Sequence, residues 1–141
     1  MGNSPAGTGR RTPTARELIS IFLFPLAILA VHLILSWFEL YDRLSWVDIP
    51  MHLFGGVSIG VAYALLSRRL GIPLQGLMLL AFIVSLVGLT AVVWELHEFA
   101  LDALLGWSTQ PSVADTMGDL FLGLLGGIAG SLPLILRGEK A

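Results

Sequence analysis

No cysteine occurs in the sequence, which excludes a disulfide framework and any thiolate metal site. Charge is scarce as well. Only 13% of residues are Asp, Glu, Lys or Arg, about half the roughly 25% of an ordinary soluble domain. The net charge of −2 leaves no basic face of the kind that a nucleic-acid partner requires. A length of 141 residues has room for one compact bundle and not for a separate soluble domain beside it. What the chain has instead is apolar sequence, 55% of it. Between Leu18 and Leu136 long apolar runs alternate with short polar breaks, the pattern of a multi-pass membrane protein whose first partner is the lipid bilayer.

Four spans are expected: Leu18 to Phe38, Pro50 to Leu66, Leu74 to Phe99 and Asp115 to Leu136. Each is close to the roughly 20 residues needed to cross a hydrocarbon core. Backbone amides in lipid must be bonded internally, and the alternation of a barrel strand is missing, so the spans are read as helices. Thr14-Ala-Arg-Glu17 fits a capping box that opens the first. Gly71 and Pro73 mark one turn, Gly106 and Pro111 another. The fold class is thus an all-α membrane protein, a four-transmembrane-helix bundle over residues 16–137. Residues 1–15 and 138–141 are expected to be cytoplasmic tails, the first of them disordered from its Gly, Ser, Thr, Pro and Arg content. Arg10-Arg11 resembles a twin-arginine signal, but no short apolar stretch with a small-residue cleavage site follows, and the first span reads as a retained anchor.

Orientation follows from the basic residues. Arg10, Arg11, Arg16, Arg68, Arg69, Arg137 and Lys140 fall on one side of a four-span chain, and Arg43 alone on the other. The positive-inside rule makes the first side cytoplasmic, with both termini inside and the plasma (inner) membrane as location. Trp37, Trp46, Trp94 and Trp107 all land near the outer interface, where amphipathic rings favour the headgroup layer.

Three pairs of side chains stand out. Asp48 and His52, Glu95 and Glu98, and Asp115 and Asp119 are spaced three or four apart, which puts each pair on one helix face. The start of span two, the end of span three and the start of span four lie at one depth, so these groups are expected to converge beneath the outer headgroups. Steps of four from Asp48 and His52 lead to Gly56 and Gly60. Steps of four from Asp115 and Asp119 lead to Gly123 and Gly127, with Gly126 and Gly130 beside them. Small residues at this spacing are where membrane helices approach closely, so the carboxylates should face into the bundle. The same glycine stripes are also candidates for homo-oligomer contacts.

Structural readings compete at several positions. Ser45-Trp-Val-Asp48 and Ser112-Val-Ala-Asp115 both resemble capping boxes, which by themselves would account for Asp48 and Asp115. Asp102, Glu39 and Asp42 read as solvated loop residues. His32 reads as a histidine packed within the bundle, and His97 as an interfacial one. His52, Glu95, Glu98 and Asp119 are different: intramembrane ionisable groups are costly and mark functional sites by default. Five carboxylates around one imidazole repel one another unless some carry protons or a cation neutralises them. An oxygen-rich site with a single histidine suits a divalent metal such as Mn²⁺, Fe²⁺, Mg²⁺ or Zn²⁺, and helical bundles build metal sites from facing helices in this way.

Read in order, Tyr41-Asp42-Arg43, His52-Leu-Phe-Gly55-Gly56, Trp94-Glu95-Leu-His-Glu98-Phe99 and Asp115-Thr-Met-Gly-Asp119 followed by Gly123-Leu-Leu-Gly126-Gly127 resemble the YjdF-type bacterial inner-membrane family. More distantly they are similar to VanZ-like membrane proteins. The likeness covers about residues 37 to 130, with the Trp-Glu-x-x-Glu-Phe and Asp-x-x-x-Asp segments its most specific parts. It implies a short form of a four-to-six-helix membrane fold and supplies no activity. In the family the carboxylate before the last span follows a Gln-Gly-Asp-type stretch, whereas here Pro111-Ser112 follows Gln110.

Three functions fit these residues. In the first, a metal-dependent enzyme acts on a lipid-borne or periplasmic substrate, with His52, Glu95, Glu98 and Asp119 holding the metal and Asp48 or Asp115 as general base. In the second, the carboxylates serve transport or sensing of a cation or proton, although Ser58, Tyr63, Ser85 and Thr90 make only a broken polar path through the inner half. In the third, the chain is a structural membrane subunit whose polar cluster locks helices together. The first is favoured.

Overall fold

The computed structural model describes residues 12–138; of the tails expected at 1–15 and 138–141, residues 1–11 and 139–141, with Arg10, Arg11 and Lys140, lie outside the described residues, while Ala15 and Gly138 are helical. The described chain is helical without a strand: α1 (Ala15–Trp37), a one-turn α2 (Leu40–Arg43), a 3₁₀ turn at Ser45–Val47, α3 (Asp48–Leu70), α4 (Gly76–Leu105) and α5 (Val113–Gly138). Four of these elements, α1, α3 with its 3₁₀ turn, α4 and α5, are long and apolar enough to cross a membrane.

Helix α1 begins as its sequence requires. The Thr14 hydroxyl accepts from the Glu17 amide at 3.3 Å and the Glu17 carboxylate accepts from the Thr14 amide at 2.9 Å, the reciprocal pair of a capping box. The other ends differ from expectation. Helix α4 continues six residues beyond Phe99, because Glu98 and Asp102 lower the hydropathy without breaking the helix. The break comes at Gly106, in the left-handed region at φ 69°, as Gly71 does after α3 at φ 61°. The capping box at Ser45 does not form. Residues 45–47 wind into the 3₁₀ turn and Asp48 is already helical at φ −61°, ψ −45°. Its carboxylate is therefore left for the next turn of its own helix. Pro50 sits in that first turn, where a missing N–H costs nothing.

The tightest pair is α3 and α5, and glycine makes it so. A Cβ on Gly56 would overlap the carbonyl of Gly123, and one on Gly60 the carbonyl of Gly127. From the other side, Gly126 meets the Leu53 carbonyl and Gly130 that of Val57. The backbones lie in contact along two glycine stripes, as small residues permit in membrane helices. All six glycines are buried in this contact between helices of one chain. Helix α4 closes on α5 from the opposite side, Val87 resting on Gly127. Below this seam a small core of Ala64, Ile83, Val87 and Ile135 fills the basic end.

Helix α1 is the least embedded, with 6% of its apolar span buried; many of its large side chains, such as Leu23 and Leu33, are exposed. In water such a surface would be a large apolar patch, and in a bilayer it is the lipid contact. The chain ends of the bundle meet at one face: Arg69 pairs with Glu17 at 3.3 Å, and the Arg68 guanidinium donates to the Leu134 carbonyl near the end of α5, where a cation complements the helix terminus.

Alanine placed at Gly56 or Gly130 is expected to destabilise the detergent-solubilised protein by about 1–3 kcal/mol, the usual cost of overpacking. Gly118→Ala, where a Cβ meets nothing within 4 Å, is expected to be neutral or better. Thermal unfolding of the purified variants checks this contrast.

Candidate metal centre

The first turn of α3, the last third of α4 and the second turn of α5 stand at one level, opposite the basic end. Their side chains meet around His52. Its Nε2 lies 3.3 Å from Asp48 Oδ1 and 3.8 Å from Asp119 Oδ1, and its Nδ1 lies 4.0 Å from Glu95 Oε1. Two sets of ligand atoms, Asp48/His52/Asp119 and His52/Glu95/Glu98, each lie within 4.8 Å of one another. Glu95 and Asp119 are both buried, at 6% relative exposure. Charge at this depth in a bilayer is costly unless it is paired.

The five residues His52, Glu95, Glu98, Asp119 and Asp48 are thus brought together from three helices. Asp115 stands one turn before Asp119, half-buried and outside both sets. Its amide donates to Ser112 Oγ at 3.1 Å, one half of the expected capping box.

Several partners of this cluster carry no periodic signal. Gln110 lies in the loop after α4 and reaches back, its Nε2 donating to Glu95 Oε2 at 2.8 Å and to the Glu95 carbonyl at 2.9 Å. Asp102 holds that loop in place. It is not a solvated loop residue but part of α4, and its carboxylate accepts from the Thr109 amide at 2.8 Å, the Thr109 hydroxyl at 2.6 Å and the Gln110 amide at 2.9 Å. The chain of contacts runs from Asp102 through the loop backbone to Gln110 and so to Glu95.

Trp94 departs from the expected aromatic belt. Trp37, Trp46 and Trp107 are exposed, but Trp94 turns inward. Its Nε1–H donates to Glu98 Oε1 at 2.8 Å, and its ring meets that of His32 edge-on at 4.8 Å. His32 in turn bonds Tyr41 through Nδ1 at 2.8 Å. Burial, and then the nearby Asp48, push the Tyr41 phenol above its ordinary pKa, so it remains protonated in this bond. His97 is exposed, tilted against Trp94 at 5.4 Å. The polar surroundings of His52 therefore extend to α1 and α2.

Chemically, one imidazole flanked by carboxylates on both ring nitrogens suits a metal on one side and an orienting acceptor on the other. Glu95 and Glu98 already accept from Gln110 and Trp94. Asp48 and Asp119 face His52 and, among the described residues, accept no hydrogen bond from a further side chain. The oxygen-rich Nε2 side is the better cation seat, and the Nδ1 side the better orienting side.

The pattern of a family described as "Predicted membrane protein (DUF2238)" matches residues 9–140. No curated protein and no solved structure matches the chain.

Asp102→Ala is expected to release the 106–112 loop. Amide hydrogen exchange at Thr109 and Gln110 should speed up several-fold, with the amides of α3 unchanged. Unaltered exchange at both loop amides would show that another contact holds Gln110 against Glu95.

Proposed function

The chain belongs to the DUF2238 family of predicted membrane proteins, and we propose that it holds one divalent cation beside His52 and uses it to act on a lipid-borne or periplasmic substrate. The observation that carries this reading is the convergence of Asp48, His52 and Asp119 on one side of the imidazole, with Glu95 and Glu98 on the other. Asp48, Asp119 and His52 Nε2 are the ligands. Glu95, held by Gln110 and 4.0 Å from His52 Nδ1, is the acceptor that would fix the tautomer in the familiar carboxylate–histidine–metal order. Glu98, held by Trp94, stands beside Glu95 outside this ligand set. Hard oxygen donors with one imidazole favour Mn²⁺, Fe²⁺, Mg²⁺ or Zn²⁺. Such an ion would supply Lewis acidity towards a phosphoryl or carbonyl oxygen, and Asp115, one turn outward, is placed to serve as general base towards an attacking water.

The orientation supports a site on the outer face. Arg16, Arg68, Arg69 and Arg137 cluster at the end away from His52, and the positive-inside rule assigns that end to the cytoplasm of a plasma (inner) membrane. The segments that resemble the YjdF-type family are those that carry His52, Glu95, Glu98 and Asp119, which favours a role shared with that family. Transport is the weaker reading. The polar groups in the other half of the bundle are bonded within it: Tyr63 to Thr90 at 2.9 Å, Ser85 to the Ala81 carbonyl at 2.8 Å and Ser131 to the Gly127 carbonyl at 2.7 Å. They form no connected path.

Detergent-purified protein titrated with Mn²⁺ is expected to bind one equivalent. Asp119→Asn and Asp48→Asn should each weaken binding by more than the roughly 10–100-fold typical of an outer-sphere change, and Glu95→Gln by about that factor. Elemental analysis and calorimetry check this order. A wild-type protein that takes up none of the four metals would overturn the reading.

A further inference from the structure

A crevice of about 400 Å³ runs along the inner side of α1, between it and α3 and α4. That size lies in the range of roughly 300–1,000 Å³ typical of small-molecule sites. Its character changes along its length. One end is walled by His32, Tyr41, Asp48, His52 and Trp94, and the rest by apolar side chains such as Phe22, Leu26, Leu29, Met51 and Ile59. Two hydroxyls interrupt the apolar part, and both are satisfied by their own helices. Ser58 donates to the Gly55 carbonyl at 2.8 Å and Thr90 to the Leu86 carbonyl at 2.9 Å. Apart from its one polar end, the crevice asks nothing of an occupant but hydrocarbon.

Its length has a natural measure. Phe22 and His32 are ten residues apart on α1, or about 15 Å at 1.5 Å per residue. That is half of the roughly 30 Å hydrocarbon core, the depth of one leaflet. The crevice also joins the surface that the bilayer covers: Leu26 and Leu29 line it and are themselves 52% and 38% exposed. A chain enters sideways from the lipid, past α1, without leaving the apolar phase.

We propose that this crevice seats one hydrocarbon chain of a phosphate-headed membrane lipid, with the phosphate at the His52 end. The inference rests on the cation reading above, because the head group's class follows from the ion's choice of ligands. A divalent ion held by Asp48, Asp119 and His52 keeps open coordination positions, and phosphate oxygens are hard donors suited to them. The Tyr41 phenol also lines that end, and where His32 Nδ1–H donates to its oxygen the phenol proton is free to donate to the same group. The chain's class follows from the lining, and a second chain remains outside in the bilayer.

Gly55 offers the test. It lines the crevice, and a Cβ there would meet nothing within 4 Å, so Gly55→Phe adds bulk to the crevice, and its Mn²⁺ content reports whether His52, one turn before it, is undisturbed. The full chain is placed in phosphatidylglycerol nanodiscs that include a phosphatidylglycerol with a photoreactive acyl terminus. Adducts are mapped by peptide mass spectrometry, and bound Mn²⁺ is measured in the same samples. Adducts should concentrate on Phe22 and Ile59, away from the phosphate end, and fall several-fold in Gly55→Phe at unchanged Mn²⁺ content, while Gly55→Ala labels like the wild type. Equal labelling of Val93 and Phe121, which face outward elsewhere, or labelling undiminished by Gly55→Phe, would overturn the lipid seat. Mn²⁺ bound without crevice adducts would sink the lipid inference alone. Crevice adducts without bound Mn²⁺ would uphold the chain's seat and overturn both the cation and the phosphate placement.

Discussion

Backbone-to-backbone contact between α3 and α5 brings His52 and Asp119 within reach of each other. Each stands one helical turn from a member of the Gly56–Gly123 contact. An imidazole and a carboxylate are short of reach across two helices held apart by leucines, so the polar level depends on the apolar seam beneath it. In a bilayer no hydrophobic force drives that seam, since lipid tails are as apolar as the side chains; close packing supplies the attraction. Glycine therefore has two consequences here. It permits the approach, and it sets the spacing at which an ion would be held.

The third carboxylate helix is fixed differently. Helix α4 packs on α5 through larger side chains such as Val87, and its acidic residues are steadied from the loop that follows. Asp102 organises the loop backbone, the loop presents Gln110, and Gln110 orients Glu95. A loop at the membrane surface would ordinarily be the most mobile part of such a protein. Tying it to a helix by a carboxylate at one point and an amide at another makes it part of the site's support.

Much of this was legible before any coordinates, and the reasons are physical. The spans follow from the length of apolar runs, and the convergence of His52, Glu95 and Asp119 from counting crossings. The inward direction of the carboxylates follows from the glycines four residues on. The helix ends were less legible, because hydropathy falls at Glu98 and Asp102 whereas the helix stops only where Gly106 turns left-handed. Ser45 failed as a cap because the residues after it were already wound. His32, Tyr41, Trp94 and Gln110 could be assigned no site role from spacing alone: their contacts cross between elements, and a lone histidine or glutamine has no period to betray its direction. Trp94 resembled its three exposed counterparts in every respect except the company it keeps on α4.

Helix α1 rests on the bundle mainly through α3, fastened near one end by Glu17 with Arg69 and near the other by His32 against Trp94. Between these points it bridges a gap instead of filling one. Its seat is made of helices that follow it in the chain, so α1 can dock only once they have been made and have met each other.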